Sequence, residues 1–396
     1  MNKIVKAVRD FFQSGLMGGV ILLGCVILSL IIANSPLGPA FERFLSLELG
    51  VHTEHLHLKY PVLLWVNDGL MALFFLMVGL EIKRELVNGQ LSSPKRAILP
   101  IFAALGGVVV PATIYIIVNY QEPTAVGWGI PMATDIAFAL AIITMLGKRV
   151  PISLKVFLAA LAIVDDLIAI LVIAIFYNSN LEFSNLMIAG GILAMLFVFN
   201  RMGIQKLYMY LIPGIFIWYL IHHSGIHATI AGVLVAMAIP TRTSGAGHSP
   251  LIRLEHILAT PVSYFIMPLF ALVNTNIVIE WEMFAGLFTP LGMGIILGLM
   301  VGKPIGISLT CWLAVKLRIS ELPQKSNWKQ IIGVGMLAGI GFTMSIFIAI
   351  LSFTGMEHVL AEAKLSILIA SLFSGILGSA FLISLSNKQK KQRIMN

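Results

Sequence analysis

Long runs of apolar residues, separated by short polar or charged connections, follow one another along almost the whole chain. Many of these runs approach the roughly 20 residues that a helix needs to cross a bilayer. They are continuous, whereas the strands of a membrane β-barrel alternate between apolar and polar residues over about 10 positions. Lipid offers no water to backbone N–H and C=O groups, so the runs are expected to be helical. The pattern predicts an all-α membrane protein that forms a single domain over residues 1–396.

The pattern divides into twelve predicted spans, numbered here in chain order. They cover residues 12–33, 62–82, 97–118, 126–147, 154–177, 184–200, 206–221, 226–239, 256–279, 287–315, 331–353 and 363–385. With the N-terminus placed inside, only three of the 26 basic residues fall on the outer side (Arg43, Lys59 and Lys364), and Lys303 falls within a span. This bias follows the positive-inside rule and predicts that both termini are cytoplasmic.

Composition agrees with a membrane protein. The chain is 58% hydrophobic and 11% charged, whereas soluble domains carry about 25% charged residues. The net charge of +8 is explained by the basic inner face, so no nucleic-acid partner is expected. Cys25 and Cys311 both lie in apolar runs, so neither a disulfide framework nor a metal cluster is indicated. The apolar segment 15–33 is longer than a signal-peptide core, and no small-residue cleavage site follows it, so it is expected to be retained as span one.

Spans four and eleven contain helix-breaking residues. Span four, GWGIPMATDIAFALAIITML, places two glycines and a proline before Thr134 and Asp135. Span eleven, GVGMLAGIGFTMSIFIAI, places four glycines before Thr343 and Ser345. One broken span in each half of the chain points to an inverted-repeat transporter with a site near the membrane midplane.

The longest outer connection covers residues 34–61 and is expected to form a hairpin or a short amphipathic segment. His52, His55 and His57 alternate within it. Histidines at such positions can bind a metal ion, or they can belong to an exposed polar strand. An exposed polar strand is the favoured interpretation.

Five ionisable residues fall within predicted spans: Asp68, Asp135, Asp165, Asp166 and Lys303. A charge at the bilayer centre costs from about 2.5 to more than 10 kcal/mol, so such residues normally face a protein interior or a water-filled cavity. The adjacent Asp165 and Asp166 are the strongest signal. Neighbours on a helix do not face each other, so the two carboxylates are expected to point toward different surroundings.

Asp165 and Asp166 are candidates for a site where a proton and a small cation compete. A carboxylate that titrates near neutral pH can hold a proton or a hard cation such as Na+, which prefers oxygen ligands. Competition for one carboxylate is itself a mechanism of proton/cation exchange. The alternative is a structural pair, with one aspartate in a salt bridge and the other hydrogen-bonded to a neighbouring helix. We favour ion binding at Asp166.

Asp135 and Lys303 each have two interpretations. Asp135 follows Thr134 at the break of span four, where it can cap the following half-helix and balance helix dipoles. It can also coordinate a cation together with Thr134. Lys303 can carry a transported proton, because buried lysines lose their charge readily, or it can be the partner that keeps Asp165 ionised. A single lysine can do both by exchanging its partner for protons.

Further ionisable groups lie toward the ends of spans. Asp68 lines the outer passage or makes a structural hydrogen bond, and the structural role is favoured. His227, at the outer start of span eight, is a natural pH switch or a structural residue. At the inner side, Glu81 and Glu85 share one face of span two at the i,i+4 spacing. Glu255 opens span nine from the inner side. These inner groups either draw in cations and respond to cytoplasmic pH or are solvated helix ends.

No cofactor or nucleotide is expected. The segment GKPIG lacks the G-x-x-x-x-G-K-[ST] pattern of a nucleotide-binding loop, and no haem, flavin or zinc spacing is visible. The energy for transport is therefore expected to come from an ion gradient, and no enzyme activity is expected. A proton-coupled symporter would need a roomy pocket for its solute, and a cation channel would need a filter loop. A membrane scaffold would leave the five buried charges unexplained.

Seven segments, taken in order along nearly the whole chain, resemble the NhaA-type sodium/proton antiporters of bacterial inner membranes. They are WVNDGLMALFFLMVGLEIKREL, GWGIPMATDIAFALA, KVFLAALAIVDDLIAI, HATIAGVLVAMAIP, RLEHIL, GKPIGI and GIGFTMSIFIA. Several of these strings are long and carry charges, so the resemblance is specific.

The resemblance implies twelve transmembrane helices with two inverted repeats, spans three to five against spans ten to twelve, and discontinuous spans four and eleven that cross. It implies a cation/proton site at Asp165 and Asp166, with Asp166 as the central ligand and Thr134 contributing to ligation. Asp135 would balance the dipoles of the crossing, and Lys303 would pair with an aspartate of the site. Positions associated with pH response correspond to Glu81, Glu85, Glu255, His256 and His227.

By this resemblance, we expect an electrogenic, pH-regulated antiporter that exports Na+ or Li+ in exchange for protons by alternating access. It would reside in the lipid bilayer of the bacterial inner membrane and dimerise through a β-hairpin in the 34–61 connection. The chain departs from the family pattern at Ile168, where a glycine is expected, and at Ala259, where a second histidine is common. The segment FALVNTN also replaces a glycine-containing version. The missing histidine bears on the pH profile more than on transport.

Overall fold

The apolar runs form helices in the computed structural model, which describes residues 16–53, 57–178, 181–242 and 249–395. The helices are α1 (Leu16–Ala33), α2 (Gly38–Leu45), α3 (Val62–Asn88), α4 (Pro94–Val118), α5 (Ile136–Met145), α6 (Ile152–Phe176), α7 (Phe183–Arg201), α8 (Tyr208–His222), α9 (Ile230–Ala238), α10 (Pro250–Asn274), α11 (Trp281–Gly286), α12 (Pro290–Lys316), α13 (Trp328–Ala338), α14 (Phe342–Ser352) and α15 (Glu357–Met395). Two strands, β1 (Glu48–His52) and β2 (His57–Pro61), lie between α2 and α3, and 3₁₀ segments cover Gln90–Ser92, Pro123–Met132 and Gly147–Arg149.

Among the described residues, seven helices are long and apolar enough to cross a membrane, and up to ten spans result if each of three bent helix pairs counts as one. Twelve spans were predicted. The difference lies at spans seven and eight, which form α8 and α9 with 15 and 9 residues. At about 1.5 Å per residue, both are shorter than the ~30 Å hydrocarbon core. Hydropathy measures how long a segment stays apolar, not where its helix ends.

Three of the long helices contain a π-helical turn. These turns cover Trp65–Leu70 in α3, Val262–Ile266 in α10 and Gly298–Gly302 in α12. A π turn holds i→i+5 hydrogen bonds and is frequent at functional sites. Asp68 lies inside the first turn, and Lys303 follows the third directly, so two of the predicted buried charges lie where the helical register shifts.

The outer connection folds into α2 and an antiparallel hairpin. The α1 and α2 helices are bent by 113° relative to each other, and β1 pairs with β2 so that His52 lies opposite His57. His55 lies outside the described residues. Lys59 forms an ion pair with Glu48 at 2.9 Å, and this contact lowers the pKa of the Glu48 carboxyl. Because both side chains are about half exposed, the pair contributes little to stability.

The chain forms two units, each described here by itself. Unit one comprises the described parts of Met1–Val20, Gln90–Ala169 and Ile279–Asn396, and unit two comprises the described parts of Ile21–Gly89 and Ile170–Val278. Helix α6 therefore contributes its residues up to Ala169, including both adjacent aspartates, to unit one.

In unit one, α4 and α12 approach each other closely at Gly106 and Gly306. A Cβ atom on either glycine would collide with the backbone carbonyl of the other. Small residues at a helix contact let two backbones come together where lipid supplies no hydrophobic driving force. Lys303 lies one turn before Gly306 and is 0% exposed. The close approach thus places this lysine in the interior of the unit.

In unit two, five helices bury one hydrophobic cluster. Each contributes a side chain that is at most 4% exposed: Leu80 of α3, Leu196 of α7, Ile217 of α8, Ala236 of α9 and Leu254 of α10. The short helix α9 lies against α3 and α10 lies against α3 as well. Helices α8 and α9 therefore both contribute side chains to the buried cluster of this unit, even though neither is long enough to span a bilayer alone.

Candidate ion-binding site

The breaks of spans four and eleven lie in unit one and contact each other. Span four bends by 41° between its 3₁₀ segment and α5, and span eleven bends by 48° between α13 and α14. The backbone N–H of Asp135 donates to the carbonyl of Ile340 at 2.7 Å, and Thr134 Oγ1 donates to the carbonyl of Ala338 at 2.9 Å. Each break thus satisfies backbone groups that a continuous helix would have satisfied internally.

Asp135 caps two half-helices at once. Its Oδ1 accepts from the backbone N–H of Phe138 in α5 at 3.0 Å. Its Oδ2 accepts from the backbone N–H of Thr343 in α14 at 3.2 Å and from the Thr343 hydroxyl. Helix N-termini carry partial positive charge, so one buried carboxylate balances the positive ends of both half-helices. The geometry of Asp135 is that of a cap and of a counter-charge.

Lys303 is held by two oxygen acceptors, one on helix α6 and one in the break of span four. Its Nζ donates to Asp165 Oδ2 at 2.7 Å and to Thr134 Oγ1 at 2.8 Å. The side chains of Lys303 and Asp165 are 0% and 1% exposed. A buried charge is tolerated only when it is paired and hydrogen-bonded, and this lysine and carboxylate provide that pairing for each other. Lys303 is thus the ion-pair partner of Asp165 in this structure.

Asp165 and Asp166 follow one another on α6 and are 1% and 2% exposed. Thr134 lies beside Asp165, yet the buried Oδ1 of Asp165 makes no hydrogen bond of regular geometry with the residues that the structure describes. Asp166 lies close enough to Lys303 for the two charges to interact. Buried carboxylate oxygens normally have hydrogen-bond partners, and the donors that interact with Asp165 are the Lys303 ammonium together with the hydroxyl and the backbone N–H of Thr134.

The site gathers two buried carboxylates, Asp165 and Asp166, around Lys303, while a third, Asp135, caps the neighbouring break. Asp135, Asp165 and Asp166 supply negative charge, Lys303 supplies positive charge, and Thr134 adds a neutral hydroxyl oxygen. Oxygen donors of this kind suit a hard cation. A fixed excess of buried negative charge also favours binding either a cation or a proton. The arrangement can therefore exchange one for the other at the same oxygens.

The other predicted residues lie in unit two, in two separate groups. At one of them, Arg84 lies between three glutamates, with its Nε 3.3 Å from Glu255 and its Nη2 3.2 Å from Glu85. The same guanidinium is 3.8 Å from Glu81. His256 interacts electrostatically with the adjacent Glu255. The predicted acidic groups thus form one network centred on an arginine, which the i,i+4 spacing of the glutamates did not reveal.

The second group in unit two surrounds Asp68. Its Oδ2 is 3.2 Å from Nδ1 of His222, and Trp218 Nε1 donates to its backbone carbonyl at 3.2 Å. His227 hydrogen-bonds the backbone of Tyr177 and interacts electrostatically with Asp68. His222 was not among the predicted residues. Its only signal in the sequence is the histidine pair at the outer end of span seven.

Lys83 was also not among the predicted site residues, and it caps the end of α9. Its Nζ donates to the carbonyl of Met237 at 2.6 Å and to the carbonyl of Ile239, while Asn200 Nδ2 donates to Ala238 at 2.6 Å. The last carbonyls of a helix lack partners within the helix and carry partial negative charge. Two side chains from other helices satisfy them here.

We expect Lys83→Met to destabilise the protein by about 1–3 kcal/mol, because charge-assisted hydrogen bonds to the end of α9 are lost. The measurement is thermal unfolding of the purified protein in detergent. Lys95→Met is the control, since Lys95 is exposed at the start of α4. Equal stability of the two variants would show that the cap does not stabilise α9.

Comparison with known proteins places the chain among ion antiporters. The sequence profile of the family described as Na+/H+ antiporter 1 matches residues 9–382. The chain is 57% identical over 396 residues to Na(+)/H(+) antiporter NhaA 2 of Flavobacterium johnsoniae, covering 99% of this chain and 96% of that protein. It is 46% identical over 381 residues to Na(+)/H(+) antiporter NhaA of Escherichia coli O139:H28, covering 96% of this chain and 98% of that protein.

A solved structure shares the fold. The sodium proton antiporter MjNhaP1 from Methanocaldococcus jannaschii, determined at pH 8, matches with a TM-score of 0.54 and covers 97% of this chain and 99% of its own. Its sequence identity to this chain is 14%. The likeness therefore concerns the helical fold and not the residues of the site.

Proposed function

The chain belongs to the Na+/H+ antiporter 1 family, a family of membrane transporters rather than enzymes, and we propose that it exports Na+ or Li+ in exchange for protons at Asp165 and Asp166. Asp166 is the central cation ligand, Asp165 contributes its second carboxylate oxygen, and Thr134 contributes its hydroxyl. Asp135 balances the half-helix ends and is not required as a ligand.

The observation that carries this proposal is the position of the Lys303 ammonium. It is bound by one oxygen of Asp165 and the hydroxyl of Thr134 at 2.7 and 2.8 Å, beside Asp166. These are oxygens of the type that a hard cation prefers. When Na+ binds, it competes with positive charge that is already present, whether on Lys303 or as protons on the carboxylates. Competition for the same oxygens makes the exchange obligatory.

The transport cycle follows from this competition. Protons that arrive from outside displace Na+ from Asp166, and the reoriented site then takes up the next cation from the cytoplasm. Two carboxylates and one lysine offer more than one proton position per cation, so we propose that exchange moves net charge. Acidification of the inner side keeps the carboxylates protonated and stops transport. The arginine-centred network of Glu81, Glu85 and Glu255, with His256 and with His227 on the outer side, is proposed to adjust this pH response.

The same proposal covers the surroundings of the protein. The antiporter acts in the inner membrane of a bacterium with both termini in the cytoplasm, and it needs no cofactor. It works as a homodimer in which the β1–β2 hairpin of one copy pairs with that of another. A two-stranded hairpin has strand edges whose backbone N–H and C=O groups can pair with those of another copy.

The test is cation-induced proton release from everted membrane vesicles that lack other antiporters. Respiration makes the vesicle interior acidic, and Na+, Li+ and K+ are then added in turn between pH 6 and 9. We expect Na+ or Li+ to release protons from wild-type vesicles at alkaline pH and Asp166→Asn to abolish the response, because an amide cannot exchange a proton for a cation. Glu280→Gln, at an exposed carboxylate, is the control and should behave as wild type.

Competition between a proton and Na+ also determines how the KM for Na+ depends on pH. A proton that competes with one cation raises this KM as the pH falls, toward a limit of about tenfold per pH unit. A KM that does not change with pH, or a well-folded wild-type protein that shows no response to any of the three cations, would overturn the proposal.

A further inference from the structure

The half-helix α14 begins without a cap of its own. Its N-cap residue, Gly341, has no side chain to accept a hydrogen bond, and the preceding chain turns through the break of span eleven. The first N–H groups of a helix have no partner within the helix. In α14 these groups are buried, because Phe342 and Thr343 are 5% and 0% exposed, so their partners must come from other elements.

Two side chains from two different elements supply them. The backbone N–H of Thr343 donates to Asp135, as described above. The backbone N–H of Phe342 donates to Oγ of Ser371 in α15 at 3.0 Å. Ser371 is 7% exposed, so its hydroxyl is largely shielded from solvent. The orientation of the first turn of α14 is therefore set jointly by the carboxylate of Asp135 and the hydroxyl of Ser371.

We propose that Ser371 is a positioning residue for the cation site, acting through Asp135 and Thr134. If Ser371 lacks its hydroxyl, the Phe342 N–H has no acceptor of its own. It then competes with the N–H groups of Thr343 and Phe138 for the Asp135 carboxylate. Asp135 is bonded through its own N–H to the break of span eleven, and the adjacent Thr134 contacts Lys303. A shift of the first turn of α14 is thereby transmitted to the oxygens that receive the cation. This inference rests on the proposed function of Asp165 and Asp166.

The same helix offers a matched control. Ser374 lies three residues after Ser371, is 3% exposed and also lies near the break, beside Gly339. Its Oγ is buried and has no hydrogen-bond partner among the residues that the structure describes. Replacing Ser374 by alanine removes a buried hydroxyl near the break of span eleven, but it removes no hydrogen bond to the start of α14.

The experiment measures the Na+ concentration for half-maximal thermal stabilisation of purified protein in detergent, and the KM for Na+ in everted vesicles. We expect Ser371→Ala to raise both values on the order of fivefold, the scale of one neutral hydrogen bond, with little change in the maximal rate. Ser371→Thr, which keeps the hydroxyl, should restore wild-type values, and Ser374→Ala should match wild type. Hydrogen exchange of the peptide containing Phe342 should be faster in Ser371→Ala than in wild type and Ser374→Ala.

Wild-type Na+ values in Ser371→Ala, or the same increase in Ser371→Ala and Ser374→Ala, would overturn the role of Ser371 while leaving the exchange function standing. If Ser371→Thr does not fold, the comparison of the two alanine variants with wild type still decides the question. If Na+ neither stabilises the wild type nor drives proton release, the proposed function itself fails, and the role of Ser371 fails with it.

Discussion

Lys303→Met is expected to destabilise the protein by about 3–5 kcal/mol, because it leaves the buried carboxylate of Asp165 without its cationic partner. Lys303 and Asp165 are 0% and 1% exposed, and their charged atoms are 2.7 Å apart. The remaining carboxylate is largely shielded from solvent, and Thr134 Oγ1 loses the donor that binds it. Thermal and denaturant unfolding in detergent measure the loss. Lys329→Met, at an exposed lysine of α13, should leave stability unchanged.

The double variant Lys303→Met with Asp165→Asn separates lost charge pairing from lost packing. Removing both charges should recover most of the stability, since the main cost in the single variant is an uncompensated buried charge. The loss in Lys303→Met should also shrink as the pH falls, because a proton can neutralise Asp165 in place of the lysine. A double variant as unstable as Lys303→Met would show that Lys303 contributes mainly through packing.

The charged residues of the site and the breaks of its helices could be recognised in the sequence. Two aspartates in an apolar run and a lysine between a glycine and a proline stand out because charges are costly in a membrane interior. The glycines and proline of spans four and eleven likewise mark where helices break, since these residues weaken helical backbone. Such features depend on residues near one another in the chain, and sequence patterns report them well.

The partners of these residues were much harder to predict. Lys303 and Asp165 are 138 positions apart, and their pairing was suggested only by their opposite charges and by the resemblance to sodium/proton antiporters. The second cap of Asp135, on Thr343, lies 208 positions away and involves a backbone N–H, which no side-chain pattern reveals. Ser371 is one of many serines in apolar helices. Its role becomes visible only when its helix is placed beside the break of span eleven.

The sequence also did not reveal where the register of a helix shifts. A π turn adds a residue within a helix and redirects the side chains that follow it, but it leaves hydropathy unchanged. Such a turn precedes Lys303 directly and contains Asp68. The contact of Arg84 with Glu255 and that of His222 with Asp68 depend in the same way on how neighbouring helices meet. Their contacts follow from packing rather than from local sequence.

Asp135→Ala is expected to cost several kcal/mol and to loosen both broken spans together. Three buried donors lose their acceptor: the N–H groups of Phe138 and Thr343 and the Thr343 hydroxyl. Each unsatisfied buried donor costs about 1–3 kcal/mol, and the positive ends of two half-helices lose the charge that balances them. Unfolding in detergent measures the total. Hydrogen exchange measures whether the first turns of α5 and α14 open together.

The control for this variant is Asn327→Ala, at the start of α13, the other half-helix of span eleven. Asn327 caps α13 alone, accepting from Gln330 N–H at 2.9 Å, so its loss should cost about 1 kcal/mol, the usual scale of one helix cap. Asp135→Asn should fall between wild type and Asp135→Ala, because an amide keeps one acceptor oxygen and turns its NH2 toward donors. Faster exchange in α5 with full protection in α14 would contradict the double cap. Asp135 would then hold one half-helix, and the contact between the two breaks would depend on Thr134 and the backbone alone.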